Sequence, residues 1–273
     1  MTVRYRKARN RNNNVWKNRA LLVLFCLLIF AVAKTFERQI LYYLGFKTGI
    51  SAEQILHQKN TRRQNLKILN HHQDKVIGID ISEYQDKIDW QQLGFVDKHP
   101  INFVFVRATV GDDRVDSKFE KYWSSADKKF IRGAYHYYRP NENSIDQANL
   151  FIKTVKLEKG DFPPVLDIEK LPKNQSIDSL KVGLKRWLDV VEAHYGVKPI
   201  IYSGDKYFTD FLESEFSEYV FWIAHYNFFE NEINPKWQIW QFTEKAKIVG
   251  IRGNVDLNIF NGDINDLKEI LVE

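Results

Sequence analysis

The sequence predicts an α/β protein: an irregular TIM-like β/α barrel with an N-terminal membrane-targeting segment. Three observations carry this. From Val76 onward, short apolar runs alternate with amphipathic stretches at the spacing of strand–helix units, which implies a parallel sheet. Eight such runs suit a closed barrel. Ahead of them stands a basic segment followed by an uncharged apolar run, residues 20–33.

In order, the barrel portion reads as a strand over 76–81, a short helix near 89–98, a strand over 103–108 and a helix over 117–130. A strand over 131–138 leads to a helix over 144–157 with Ser144 as its cap. Two prolines, Pro163 and Pro164, then introduce a strand over 165–169. A long helix over 177–195 stops at Gly196, and a strand over 198–203 precedes a helix near 206–216. After that the period shortens, with strands over 220–225 and 237–242, a turn-rich stretch to Phe260, and a closing helix over 264–272. That last third breaks the strand–helix rhythm, so the barrel is expected to be irregular.

The chain has 273 residues, enough for one large domain with a modest extension. Its single cysteine, Cys26, lies inside the apolar run, which excludes a disulfide framework and a thiolate metal site. The net charge of +5 is unevenly spread. Residues 1–75 hold fifteen Lys/Arg and three acids, which leaves 25 bases against 32 acids in residues 76–273, a net of −7. An acidic globular part argues against nucleic acid as a partner.

Four segments follow: a basic cytoplasmic stretch over 1–19, an apolar signal-anchor or signal peptide over 20–36, a juxtamembrane linker over 37–75 and the barrel over 76–273. The basic flank places the N-terminus in the cytoplasm and the barrel outside, in the cell envelope. Ala31-Val32-Ala33 offers a small-x-small cleavage site, so secretion after cleavage near Ala33 is the alternative to a membrane anchor.

Functional groups of such a barrel gather where the strands end. Those ends carry Asp80; Tyr135, His136 and Tyr137; Asp167 and Glu169; Tyr202; Trp222 and His225; Trp240 and Gln241; and Asp256. Asp167 and Glu169 lie two apart, so they project from one face of their strand about 6–7 Å apart. A lone Asp-x-Glu is more often a salt-bridged or capping pair, and any one of these tyrosines or histidines alone is as readily core. Together, carboxylates with aromatics suit a sugar: aromatic faces stack on pyranose rings and a carboxyl pair performs acid-assisted glycosidic cleavage. No His-x-x-x-His spacing suggests a metal hydrolase, and no Gly-x-Ser-x-Gly elbow suggests a serine hydrolase.

The stretches 78–85, 88–90, 103–109, 133–136, 164–169, 222–226, 239–242 and 253–258 together resemble glycoside hydrolase family 25, the Chalaropsis-type lysozymes or N-acetylmuramidases. The resemblance runs in order from about Val76 to Gly262. It implies an irregular β/α barrel that cleaves the β-1,4 bond between N-acetylmuramic acid and N-acetylglucosamine in a peptidoglycan strand; no cofactor or metal is expected, and a monomer is the expected working unit. It also implies Glu169 as catalytic acid, with Asp167, Asp80 and Asp256 as the other catalytic carboxylates. Tyr135, His136, Tyr202, Trp222 and Trp240 fall where that family lines its saccharide cleft. Asp86 stands where the family commonly has Gly, and Val110 where it has Glu. The readings left beside this one are a hydrolase of another N-acetylated glycan and a non-catalytic wall-binding barrel.

Overall fold

A computed structural model of the chain describes residues 12–35, 52–126, 129–227 and 231–273. The start of the expected basic segment (1–11) and residues 36–51 of the expected anchor and linker lie outside the described residues. The chain divides into two compact units, residues 1–60 and 61–273. In the first, helix α1 (Asn12–Thr35) carries the apolar run with side chains from Leu21 to Phe30 exposed. Fourteen apolar residues at about 1.5 Å each cover ~21 Å, short of the ~30 Å hydrocarbon core of a bilayer. Among the described residues no helix is long and apolar enough to cross a membrane.

Helix α2 (Ala52–His71) replaces much of the expected linker. Its last turns belong to the second unit and send Ile68 and Leu69 into the core, while the His72 ring just beyond stands edge-on to Trp240 at 6.2 Å.

The second unit is a closed ring of eight strands: β1 (Val76–Ile81), β4 (Phe103–Val110), β6 (Ile131–Tyr137), β7 (Val165–Asp167), β8 (Ile200–Gly204), β9 (Val220–Ala224), β10 (Ile239–Ala246) and β11 (Val255–Phe260). Pairing is parallel from β1 through β4, β6, β7, β8 and β9 to β10. Strand β11 then runs antiparallel to both β10 and β1 and closes the ring. That reversal is the irregularity expected of the last third: the connections there are too short to return the chain to the same end. A two-residue strand, β5 (Arg114–Val115), hangs on the end of β4.

Each strand alternates between two cores. Phe103, Phe105, Val165, Ile200, Trp222, Ile239 and Phe260 fill the barrel interior. Ile79, Val104, Leu166, Ile201, Ile223 and Leu257 face outward against the helices, which contribute Leu184, Trp187 and Val191. The interior is tight: a Cβ at Gly78 would lie 2.1 Å from the Phe103 ring, and one at Gly133 2.4 Å from that of Phe105. Glycine there leaves room for two phenylalanine rings beneath the site.

The helices follow their local signals. Helix α5 (Ile177–Tyr195) begins at a Ser176 cap and ends where Gly196 adopts φ 73°, the left-handed stop expected of glycine. Helix α4 (Ser144–Thr154) is capped by Asn143, one residue before the expected Ser144, whose hydroxyl instead bonds the Tyr138 hydroxyl. Helix α3 (Phe119–Ala126) is shorter than expected. No helix forms over 89–98. Asp89 Oδ1 instead accepts from the Gln91 and Gln92 amides, and a small hairpin, β2 (Phe95–Val96) with β3 (His99–Pro100), follows. Local side-chain bonding and Gly94 favour a turn over a helix there. The helix expected near 206–216 is a single turn, α6 (Asp205–Tyr207), running into a π-turn at Phe208–Leu212. Helix α7 (Ile264–Glu269) closes the chain.

Candidate active site

At the C-terminal ends of the parallel strands lies a cleft of about 260 Å³. The interior phase of each strand supplies its lining: Asp80 from β1, Arg107 from β4, Tyr135 and Tyr137 from β6, Asp167 from β7, Tyr202 from β8, Trp222 from β9, Gln241 from β10 and Asp256 from β11. Glu169 stands two residues beyond the end of β7, at the mouth, so all four predicted carboxylates share the space.

The floor is a connected hydrogen-bond set. Trp222 Nε1 donates to Asn258 Oδ1 at 2.8 Å, and Asn258 Nδ2 donates to Asp80 Oδ2 at 2.8 Å. Gln241 Nε2 donates to the same Asp80 oxygen at 2.8 Å, while Gln241 Oε1 accepts from Tyr202 at 2.9 Å and from Tyr226. Trp222 is buried beneath, stacked on Phe105 at 4.4 Å and edge-on to Tyr202 at 4.5 Å. It forms the floor of the cleft and supports Asp80 through Asn258, with little face open to solvent.

Asp167 differs from Asp80. It is buried, and its Oδ1 has no hydrogen-bond partner. Burial, with the charges of Glu169 and Asp80, lifts its carboxyl well above the ordinary carboxylate range. Glu169 is raised too, by burial, with Lys170 as the main opposing influence. Water reaches Glu169 at the mouth while protein crowds it on the cleft side, so burial acts on it less completely than on Asp167. Asp256 is pushed up to about 9, by burial first and then by the charge of Asp80. Asp80 is raised by burial, and the donors Asn258, Gln241 and Asp256 pull it back. The Asp80–Asp256 pair therefore holds one proton near neutral pH, with Asp256 the protonated partner. Burial also keeps Tyr135 and Tyr202 neutral donors.

Arg107 ties the cleft to its rim. Its Nε donates to Asp116 Oδ2 at 2.9 Å, a terminal nitrogen reaches Glu83 Oε1 at 3.1 Å, and its guanidinium lies 4.8 Å from the centre of the exposed Tyr84 ring. Sequence reasoning missed Arg107, Tyr84 and the role of Asn258. Arg107 shares the phase of Phe103 and Phe105, and Asn258 that of Phe260, which is the signal that would have found them.

Two predicted cleft residues lie elsewhere. His136 is fully buried on the outward phase of β6, with Nδ1 2.7 Å from Thr109 Oγ1, Nε2 3.0 Å from Gln147 Oε1, and its ring stacked on Trp187. It is a core histidine, not a cleft residue. Trp240 is likewise outward: it packs in the outer core and its Nε1 donates to the His225 carbonyl at 2.9 Å. Its neighbour Gln241 takes the cleft position. Among the described residues no group of three or more His, Cys, Asp or Glu is placed to hold a metal ion.

The sequence model of the glycosyl hydrolases family 25 matches residues 79–251, most of the barrel. The chain belongs to glycosyl hydrolase family 25. Among sequence relatives, the uncharacterized protein YegX of Escherichia coli (strain K12) is 40% identical over 195 residues, 70% of this chain and 71% of that one. Lysozyme M1 of Streptomyces globisporus is 29% identical over 203 residues, 68% of each chain. A solved structure of a family 25 glycosyl hydrolase from Bacillus anthracis superposes with a TM-score of 0.65 at 27% identity, covering 72% of this chain and 94% of that one. The matched residues include Asp80, Asp167 and Glu169 of the cleft, while Asp256 on β11 lies beyond them.

Proposed function

We propose that this family 25 glycosidase is a muramidase that cleaves the β-1,4 bond between N-acetylmuramic acid and N-acetylglucosamine in peptidoglycan. The observation that carries the reading is the Asp167–Glu169 pair: two carboxyls raised by burial at one cleft, one at the mouth and one beneath with an oxygen left unpartnered. Similarity to Lysozyme M1 supports the substrate class.

Glu169, raised and reachable from the mouth, is suited to protonate the leaving glycosidic oxygen. The unpartnered Asp167 oxygen is suited to accept the N–H of the substrate's 2-acetamido group, aiming the acetamido oxygen at the anomeric carbon. Asp80, held by two amide donors, is a fixed acceptor for the sugar. Tyr135, Tyr137 and Tyr202 supply neutral donors and ring faces around it.

The same reading places the barrel in the cell envelope, with residues 20–36 as the export signal or membrane attachment. The exposed apolar side chains of α1 behind a basic segment support this. A ring without open strand edges favours a single chain as the working unit. N-terminal sequencing of the chain recovered from membrane and soluble fractions would separate retention from cleavage near Ala33. Recovery of the whole chain from the cytosol would defeat the envelope assignment.

The test of function is digestion of purified peptidoglycan by the full chain, with borohydride reduction and mass spectrometry of the fragments. New reduced muramic ends are expected. Glu169→Gln is expected to lower turnover by roughly 10³-fold or more, the upper range for a general acid, while glycan binding persists. Intact peptidoglycan alongside a cleaved N-acetylglucosamine polymer would replace the muramidase reading with another N-acetylated glycan.

A further inference from the structure

Lys170 directly follows Glu169 and stands exposed at the rim of the cleft. Its ammonium lies 5.5 Å from the centre of the Tyr137 ring, and Tyr137 lines the cleft. Its carbonyl accepts from the Tyr207 hydroxyl at 3.3 Å, which ties the main chain beneath it to α6. Arg139, a cation nearby, is occupied: one terminal nitrogen donates to Asp113 at 3.2 Å and to Glu142 at 3.0 Å. Among the described residues Lys170 forms no ion pair with a carboxylate. An exposed ammonium on a flexible stem, held beside the acid by a side-chain hydrogen bond with Tyr137 and paired with no carboxylate, is a charge available to the substrate.

We infer that Lys170 is a specificity-determining residue that pairs with a carboxylate of the glycan as the sugar settles beside Glu169. This rests on the muramidase reading. Muramic residues carry a lactyl carboxyl, free where no stem peptide is attached, and stem peptides bring carboxylates of their own. Either presents the same group to an ammonium, whereas a polymer of N-acetylglucosamine presents none.

The pairing also bears on the acid. Lys170 is the leading influence holding Glu169 down, against burial and the charges of Asp80 and Glu244, with Tyr202 bonded to it from the other side. Asp167, Tyr137 and Arg139 are the other groups that face Lys170. A substrate carboxylate on Lys170 cancels that influence, so a larger fraction of Glu169 is protonated with an anionic glycan bound. Substrate charge thereby helps prepare the group that protonates the leaving oxygen.

The experiment compares the full chain, Lys170→Met and Lys170→Arg on glycan strands stripped of stem peptides, before and after methylamidation of their carboxyls, and on peptide-bearing strands treated alike. The wild type should favour the charged form by roughly three- to fivefold in kcat/KM, the range of an exposed ion pair. The ratio should fall to about one in Lys170→Met and survive in Lys170→Arg. The alkaline limb of the pH profile on methylamidated strands should move upward in Lys170→Met, because the acid has lost its cationic neighbour. A preference confined to stripped strands assigns the lactyl carboxylate, and one confined to peptide-bearing strands assigns the stem. A wild type without preference, or a preference unchanged in Lys170→Met, overturns the inference while leaving muramidase activity standing. A wild type that cleaves none of the strands overturns both.

Discussion

Asp80 and Asp256 are direct cross-strand partners in the antiparallel pairing of β1 with β11, facing each other inside the barrel. Directly opposed residues bring their Cβ atoms to about 5 Å, too close for two buried negative charges. The barrel resolves the conflict asymmetrically. Asp80 receives two amide donors, and Asp256 keeps the proton and donates it to Asp80. The antiparallel strand that makes the barrel irregular is thus also what creates the proton-sharing pair.

A pH dependence of stability follows. Asp256 titrates near 4 when unfolded and at about 9 when folded. A raised folded value means its contribution is fully present below pH 4 and is lost as pH rises through about 9. Asp256→Asn removes this loss while keeping a donor toward Asp80. Thermal melts at pH 5 and pH 8 should therefore show Asp256→Asn gaining on the wild type at the higher pH. Melting temperatures that move in parallel would show that the pair does not share a proton.

Trp222 acts through Asn258. Trp222→Phe keeps the ring on Phe105 but leaves Asn258 Oδ1 without its donor, in a place with no water-facing side. An unsatisfied buried acceptor costs about 1–3 kcal/mol, and the freed amide loosens its hold on Asp80. The expected result is a denaturation midpoint lowered accordingly, with a fall in kcat larger than the change in KM. Full activity with lost stability would confine Trp222 to packing.

His136 carries the opposite sign. Burial lowers it from 6.5 to about 4, so it is neutral in the fold. A depressed value gives stability that is present above pH 6.5 and is lost as pH falls toward 4. His136→Gln should flatten that acid-side loss, and its KM for glycan should match the wild type, because the side chain lies between Thr109 and Gln147 behind the cleft. A KM raised tenfold would return His136 to the substrate site.

These residues also mark what the sequence made legible. Asp-x-Glu at a strand end, and acids and aromatics at other strand ends, located the cleft, because a parallel barrel forces such groups together. Phase was harder to read. Strand β10 is apolar on both faces, so Ile239, Trp240 and Phe242 gave no alternation to show that Gln241 points inward. His136 looked like a cleft residue because it sits between Tyr135 and Tyr137, which do line the cleft. The supporting amides of Asn258 and Gln241 acquire their meaning only from β11 reversing direction, and no local pattern announces that reversal.

Helix α2 was the least legible element, since its sequence carries a weak apolar stripe, yet it completes the barrel's outer cover. Among the described residues strands β9, β10 and β11 are joined without full helices, which leaves the outward faces of Trp240 and its neighbours to be covered from elsewhere. Ile68 and Leu69 are buried in that outer core, and His72 bonds the Asn231 carbonyl while its ring stands against Trp240. Burying two such aliphatic side chains contributes up to about 3–6 kcal/mol, a large share of the 5–15 kcal/mol that typically holds a domain together. A chain beginning at residue 76 should therefore melt well below one beginning at residue 52 and should bind a hydrophobic dye through the exposed Trp240 face. Ile68→Ala with Leu69→Ala in the longer chain should reproduce most of that loss. Equal melting of the two lengths would show instead that α2 is a tether resting on a barrel already complete without it.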